Sequence, residues 1–208
     1  ASLILDIDKS MISTILTVEN VAYYSVAIFI AAVIELPGRA MFQIISPLVA
    51  NALNDKDDMT LLQLLKKSAN NLLLVSGLLF LLINLNLNDF YAWTNLGDYI
   101  VALEVVLIVS VGKLFTMSMG CLNNIITNSK YYAYVFWFSI SSAILAVSLN
   151  LYLLPLFGII GAAYATLIVI IIINIFKILL VQFRFKINPY GWESLLTLGI
   201  IILLYLII

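Results

Sequence analysis

Apolar runs near bilayer-spanning length alternate with short polar joints along this chain. Rich in Leu, Ile, Val, Ala and Phe, they cover residues 2–16, 21–50, 68–84, 99–126, 134–154, 159–181 and 193–208. Hydrocarbon offers no partner to a backbone amide, so each run predicts a helix that pairs its own amides. The run at 21–50 would reach ~45 Å as a helix and is predicted to tilt or project past the bilayer. Pro37-Gly38 near its middle allows a kink. The last run would span ~23 Å, short of the ~30 Å of hydrocarbon, and the first carries Asp6, Asp8 and Lys9; both read as truncated spans. The predicted fold class is all-α, a polytopic transmembrane helical bundle of six to seven spans, with residues 1–208 forming one unit.

Basic residues set the direction. Lys56, Lys66 and Lys67 follow the second run, Lys130 the fourth, and Arg184 with Lys186 the sixth, whereas the joints at 17–20, 85–98 and 155–158 hold no Lys or Arg. The positive-inside rule places the basic joints on the cytoplasmic side and the others outside. Phe90, Tyr91, Trp93 and Tyr99 are expected at the outer interface, and Tyr131, Tyr132, Tyr134, Tyr190 and Trp192 at the inner one.

Composition agrees with lipid as the solvent. Hydrophobic residues make up 64% of the 208 and charged residues 10%, against about 25% charged in soluble domains. A net charge of -1 gives no excess of basic residues to hold nucleic acid, and there is no histidine to bind a metal or carry a proton near neutrality. Cys121 stands alone, which excludes an intrachain disulfide and argues against zinc; it reads as a small packing residue. No nucleophile triad or acidic metal motif appears, so neither a catalytic residue nor a cofactor is predicted.

Five charges fall deep inside the apolar runs: Asp8, Lys9, Glu35, Arg39 and Lys113. Glu104 and Lys177 lie nearer the ends, within snorkelling reach. At about 2.5 to 3.5 kcal/mol each on insertion scales, five unpaired charges would cost ~15 kcal/mol, as much as a typical domain's whole stability. They are expected to pair or to line a wet cavity. Ala27, Ala31, Glu35, Arg39, Gln43 and Ser46 gather on one face of the second run, with Glu35 and Arg39 in the favourable i,i+4 order. That pair either fixes packing or lines a lumen. Ser110, Lys113, Thr116, Gly120, Asn124 and Thr127 form a second polar stripe on the fourth run. Lys113 has no acid within a turn, so its partner is expected on another helix or in a ligand. Gly158, Gly161, Ala162, Ala165 and Thr166 open the sixth run with a small-residue face suited to close helix packing.

The run Asn150-Leu-Tyr-Leu-Leu-Pro155-Leu-Phe-Gly158-Ile-Ile-Gly161-Ala-Ala-Tyr-Ala-Thr166 resembles the signature of bacterial polysaccharide flippases. Asp8-Lys9-Ser-Met-Ile with Glu19-Asn-Val-Ala-Tyr-Tyr24-Ser-Val-Ala27 looks like the span opening the second half of that family. Leu36-Pro37-Gly-Arg39, Ser46-Pro47, Gly112-Lys113-Leu, Gly120-Cys-Leu-Asn123-Asn124-Ile-Ile and Ser129-Lys130-Tyr-Tyr132 look like the lipopolysaccharide-type variant. The resemblance covers nearly the whole chain. It implies the superfamily of multidrug, oligosaccharidyl-lipid and polysaccharide exporters, two pseudo-symmetric bundles around an alternating cavity, with this chain as the second and the N-terminal bundle missing.

The function so implied is flipping of a polyprenyl-pyrophosphate-linked oligosaccharide to the outer leaflet of a bacterial inner membrane, for surface polysaccharide. Lys113, Arg39 and Lys9 are then the candidates for the pyrophosphate, and Asn123 and Asn124 for sugar hydroxyls. Asp8 or Glu35 is the candidate acid through which a proton, a sodium ion or the membrane potential drives the cycle. The expected partners are the lipid-linked substrate, membrane lipid and the N-terminal bundle. A cation-coupled drug extruder of the same superfamily is the nearest rival, although three central bases against two central acids favour an anionic cargo. A fragment of a membrane polysaccharide polymerase or ligase would want a large polar outside loop, and the longest here, 85–98, holds two acids and no base. A scaffold subunit would have no use for buried charge.

Overall fold

The computed structural model describes residues 2–93 and 97–207, with side chains from residue 7 onward except at 97 and 98. The described residues form helices joined by short turns, without a strand. Helix α1 spans Ser2–Ile15. After extended Thr17, α2 runs Val18–Ala32, tightens into a 3-10 turn at Val33–Glu35 and continues as α3, Leu36–Asn54. Pro37 falls in the first turn of α3, where it has no helical amide bond to lose. The kink expected at Pro37-Gly38 is therefore this 3-10 turn, and the Ile34 carbonyl accepts a hydrogen bond from Ser76 Oγ at 2.9 Å.

Helix α4, Asp58–Trp93, has 36 residues and a length of ~54 Å. Asp57 caps it, accepting the Thr60 amide at 3.0 Å and the Thr60 hydroxyl at 2.6 Å; these bonds, the hydroxyl's first, hold the Asp57 carboxyl below the usual carboxylate range. The joint expected at 85–98 is helical up to Trp93, and its residues 94–96 lie outside the described ones. A 3-10 stretch, Gly97–Ala102, leads into α5, Leu103–Ser118. The run read as one span over 99–126 breaks here, because Gly120 takes a φ of 59° and α6 covers only Leu122–Asn128. A Cβ on Gly120 would lie 2.5 Å from both the Ala69 nitrogen and Ser68 Oγ. Glycine thus permits both the left-handed turn and the close approach of α4, and Ser68 Oγ accepts the Cys121 amide that the break frees, at 2.9 Å.

Helix α7 runs Ala133–Phe185 with a non-helical Gly158 inside it (φ 59°, ψ −141°). Its two arms, 133–157 and 159–185, fold against each other. Ala146 and Val169, nearly equidistant from Gly158, share one apolar cluster with Ile173, and a Cβ on Gly161 would lie 2.1 Å from the Leu153 carbonyl oxygen. Pro155 and the small-residue face at 158–166 therefore build a helical hairpin. The last helix, α8, is Trp192–Ile207, 16 residues. It lies on α4, where Ile201 sits over Gly77 and Asn70 donates to Glu193 at 2.6 Å and accepts from Ser194 at 2.5 Å.

Four helical stretches are long and apolar enough to cross a membrane: Val18–Asn54, Asp58–Trp93, Tyr99–Ser118 and Ala133–Phe185. Their outer surfaces expose Phe29, Ile44, Leu78, Leu82, Phe136 and Ile144, an apolar coat far beyond the patches of a water-soluble monomer. One core gathers Tyr24, Ala27, Val105, Val106, Leu154 and Ala162, and another Val49, Leu61, Leu65, Leu122, Ile125 and Val181. An apolar, half-open groove of about 730 Å³ separates α8 from α5 and the second arm of α7. Of the aromatics at the joints, Phe90, Trp93, Tyr132, Tyr134 and Trp192 are exposed, whereas Tyr91 is buried in the core. Tyr131 is half-buried and carries Lys130 and Arg184 near its ring, 5.3 and 5.2 Å from the centroid.

Candidate functional site

Two polar centres occupy the interior. The first is built on Asp8, fully buried on α1. Its Oδ2 accepts from the Tyr24 hydroxyl of α2 at 2.7 Å and from the Thr166 hydroxyl, and its Oδ1 accepts from Asn150 Nδ2 at 2.6 Å. Asn150 and Thr166 face each other across the hairpin, each eight residues from Gly158, so the turn brings both donors to one carboxylate. The Asn150 amide also donates to Ala146 O at 2.9 Å, and its Oδ1 is buried with no hydrogen-bond partner among the described residues. Asp8 forms no ion pair; among the described residues the one ion pair lies elsewhere. Three neutral donors and no base hold this carboxylate.

That ion pair makes the second centre. Lys113 Nζ on α5 lies 3.0 Å from Glu35 Oε1 in the 3-10 turn, with side-chain exposures of 5% and 15%. Beside it opens a cleft of about 250 Å³ whose polar lining is Glu35, Lys113, Thr116, Asn123, Ser139, Ser142, Thr166, Asn174 and Lys177. Asn174 donates to the Thr116 hydroxyl at 3.1 Å, bridging the second arm of α7 to α5. Two lysines face one glutamate there, beside neutral hydroxyls and amides and the apolar side chains of Val135, Phe138, Val169, Ile170 and Ile173. The polar groups are suited to an anion with hydroxyls attached.

The structure redistributes the residues singled out from the sequence. Lys113 finds its acid on another element, and that acid is Glu35; the Glu35–Arg39 pair suggested by their spacing does not form. Arg39 is exposed, and Lys9 is half-buried without an ion pair among the described residues. Of the two neighbouring amides, Asn123 lines the cleft, while Asn124 reaches the Phe42 carbonyl at 3.4 Å. The break at Gly120 cuts the fourth run's stripe: Thr116 stays at the cleft, and Thr127 is exposed and bonds Asn123 O within α6. Lys177, within snorkelling reach by its position in the sequence, lines the cleft. Tyr24, Asn150, Thr166 and Asn174 were not read as site residues, although Asn150 and Thr166 close the two ends of the most distinctive motif and sit symmetrically about its glycine.

No known protein family, curated protein or solved structure matches the chain.

Proposed function

We propose that this chain is part of a membrane transporter that moves a polyprenyl-pyrophosphate-linked oligosaccharide from the inner to the outer leaflet of a bacterial inner membrane. One observation carries the reading: a buried lysine, held by a carboxylate from another element, borders a cleft where a second lysine, hydroxyls and amides stand among apolar side chains, inside helices of membrane-crossing length. A pyrophosphate with its first sugar needs that combination, and its polyprenyl tail can stay in lipid. From Lys177 the cleft reaches Thr166, 11 residues along one arm or ~16 Å. With the basic joints cytoplasmic, its Asn123 and Ser139 end faces the side where such a substrate is loaded, and its Thr166 end reaches past the middle of the arm. Asp8 lies beyond it on the outer side and supplies the acid that couples the cycle to protons. The exposed polar groups of α1 and α3, Ser10, Ser13, Arg39 and Gln43 among them, suit a face covered by a second bundle of the same protein.

Binding by the purified chain in lipid nanodiscs tests this. A short-chain prenyl-pyrophosphoryl sugar is expected to bind, and Lys113→Ala and Lys177→Ala each to weaken it about tenfold or more, as a charge-assisted phosphate contact is lost. Preference for lipophilic organic cations would sink the reading in favour of a drug extruder, and unchanged binding by Lys113→Ala would remove that residue from the role.

A further inference from the structure

Thr166 belongs to both polar centres: its hydroxyl donates to Asp8, and it lines the Lys113 cleft. A threonine hydroxyl has one proton and two lone pairs. While Asp8 is ionised, that proton is committed to Asp8 Oδ2, and Thr166 offers the cleft only lone pairs, which repel an anion. When Asp8 takes up a proton on Oδ2, that new O–H can donate to the Thr166 oxygen, reversing the bond between them. The Thr166 O–H can then turn and donate into the cleft.

We propose that Thr166 is the positioning residue through which protonation of Asp8 strengthens anion binding in the Lys113 cleft. The inference rests on the anionic-substrate reading above. The groups facing Asp8 are Tyr24 from α2 and Asn150 and Thr166 from the two arms of α7, with Lys9 the adjacent charge on α1 itself. Those facing the cleft are Glu35, Lys113 and Lys177. Glu35 adds a pH dependence of its own by releasing Lys113 when protonated, and loss of the Asp8 charge favours an anion through space. Neither of these passes through the Thr166 hydroxyl. Linkage makes the effect reciprocal: an anion in the cleft raises the proton affinity of Asp8, and departure of the proton loosens the anion. Proton and anion thus enter and leave together.

The probe is a geranyl-pyrophosphoryl sugar, a diester whose charge does not change across the carboxylate range, titrated against the whole chain in nanodiscs at a series of pH values. Wild-type binding is expected to tighten about tenfold on acidification, the worth of one hydrogen bond to a charged group. Thr166→Val is expected to keep no more than about threefold of this, with Thr166→Ser restoring it. A valine variant with the full wild-type pH dependence overturns the proposal. Should valine prevent folding, Thr166→Ala takes its place with the same expected loss, and the full wild-type pH dependence in that variant overturns the proposal. Absence of probe binding at every pH would instead bring down the anionic-substrate reading, and this inference with it.

Discussion

The Glu35–Lys113 contact is the residue-scale feature with the sharpest energetic consequence. Glu35→Gln leaves an ammonium buried without its carboxylate, and Lys113→Met leaves the reverse; breaking a buried pair on one side costs about 3–5 kcal/mol. With 15% of the Glu35 side chain still exposed, the lower end is expected. The double variant should recover much of the loss, because no buried charge remains. Thermal unfolding in detergent, followed by tryptophan fluorescence, measures the cycle, and single variants as stable as the wild type would contradict it. Sequence alone shows that Lys113 needs a partner beyond its own turn, since its depth and lack of a local acid can be read directly. Which acid it meets cannot. The i,i+4 logic behind Glu35 and Arg39 treats their run as an isolated helix, whereas Glu35 turns to Lys113 on α5 and Arg39 stands exposed. The Asp8 cluster is less legible still, because its donors stand 16, 142 and 158 residues away.

At the scale of elements, three glycines separate permissive positions from obligatory ones. Gly161→Ala would place a Cβ 2.1 Å from the Leu153 carbonyl oxygen, a backbone atom that no rotamer change can move aside. The hairpin is expected to open, at a cost of about 2–3 kcal/mol or more. Gly120→Ala meets the backbone of α4 at 2.5 Å with a φ of 59° and should behave similarly. Gly199→Ala on α8, with nothing within 4 Å, should be neutral or gain up to about 1 kcal/mol of helix propensity. Detergent-resistant folded fraction on size exclusion orders the three, and tolerance of Gly161→Ala would contradict the tight hairpin. The fifth and sixth runs and their joint at 155–158 were readable because Pro155 and Gly158 interrupt the apolar pattern. The break at Gly120 was not, because hydropathy stays high across it and carries no information about backbone sign; its cause is Ser68 and Ala69, on another helix.

For the whole molecule, apolar run lengths sufficed to identify an all-helical chain with membrane-crossing helices, since lipid leaves the backbone no other choice. The reach of α4 to Trp93 and the docking of α8 on Gly77 depend on contacts between distant runs and were not visible. Direction is open to a labelling experiment. Cysteines replacing Lys56, Lys130 and Arg184 are expected to react with an impermeant maleimide from one side of the membrane, and those replacing Glu19 and Phe157 from the other. Lys130 and Glu19 labelled from the same side would overturn the orientation. The Asp8 cluster also imposes an order of biogenesis. The ribosome emits the acid more than a hundred residues before its Asn150 and Thr166 donors, so of the three donors only Tyr24 can hold it until the hairpin has been synthesised. Release of a truncated product ending before Ala133 should therefore leave α1 extractable from the bilayer, whereas adding the hairpin seals it in.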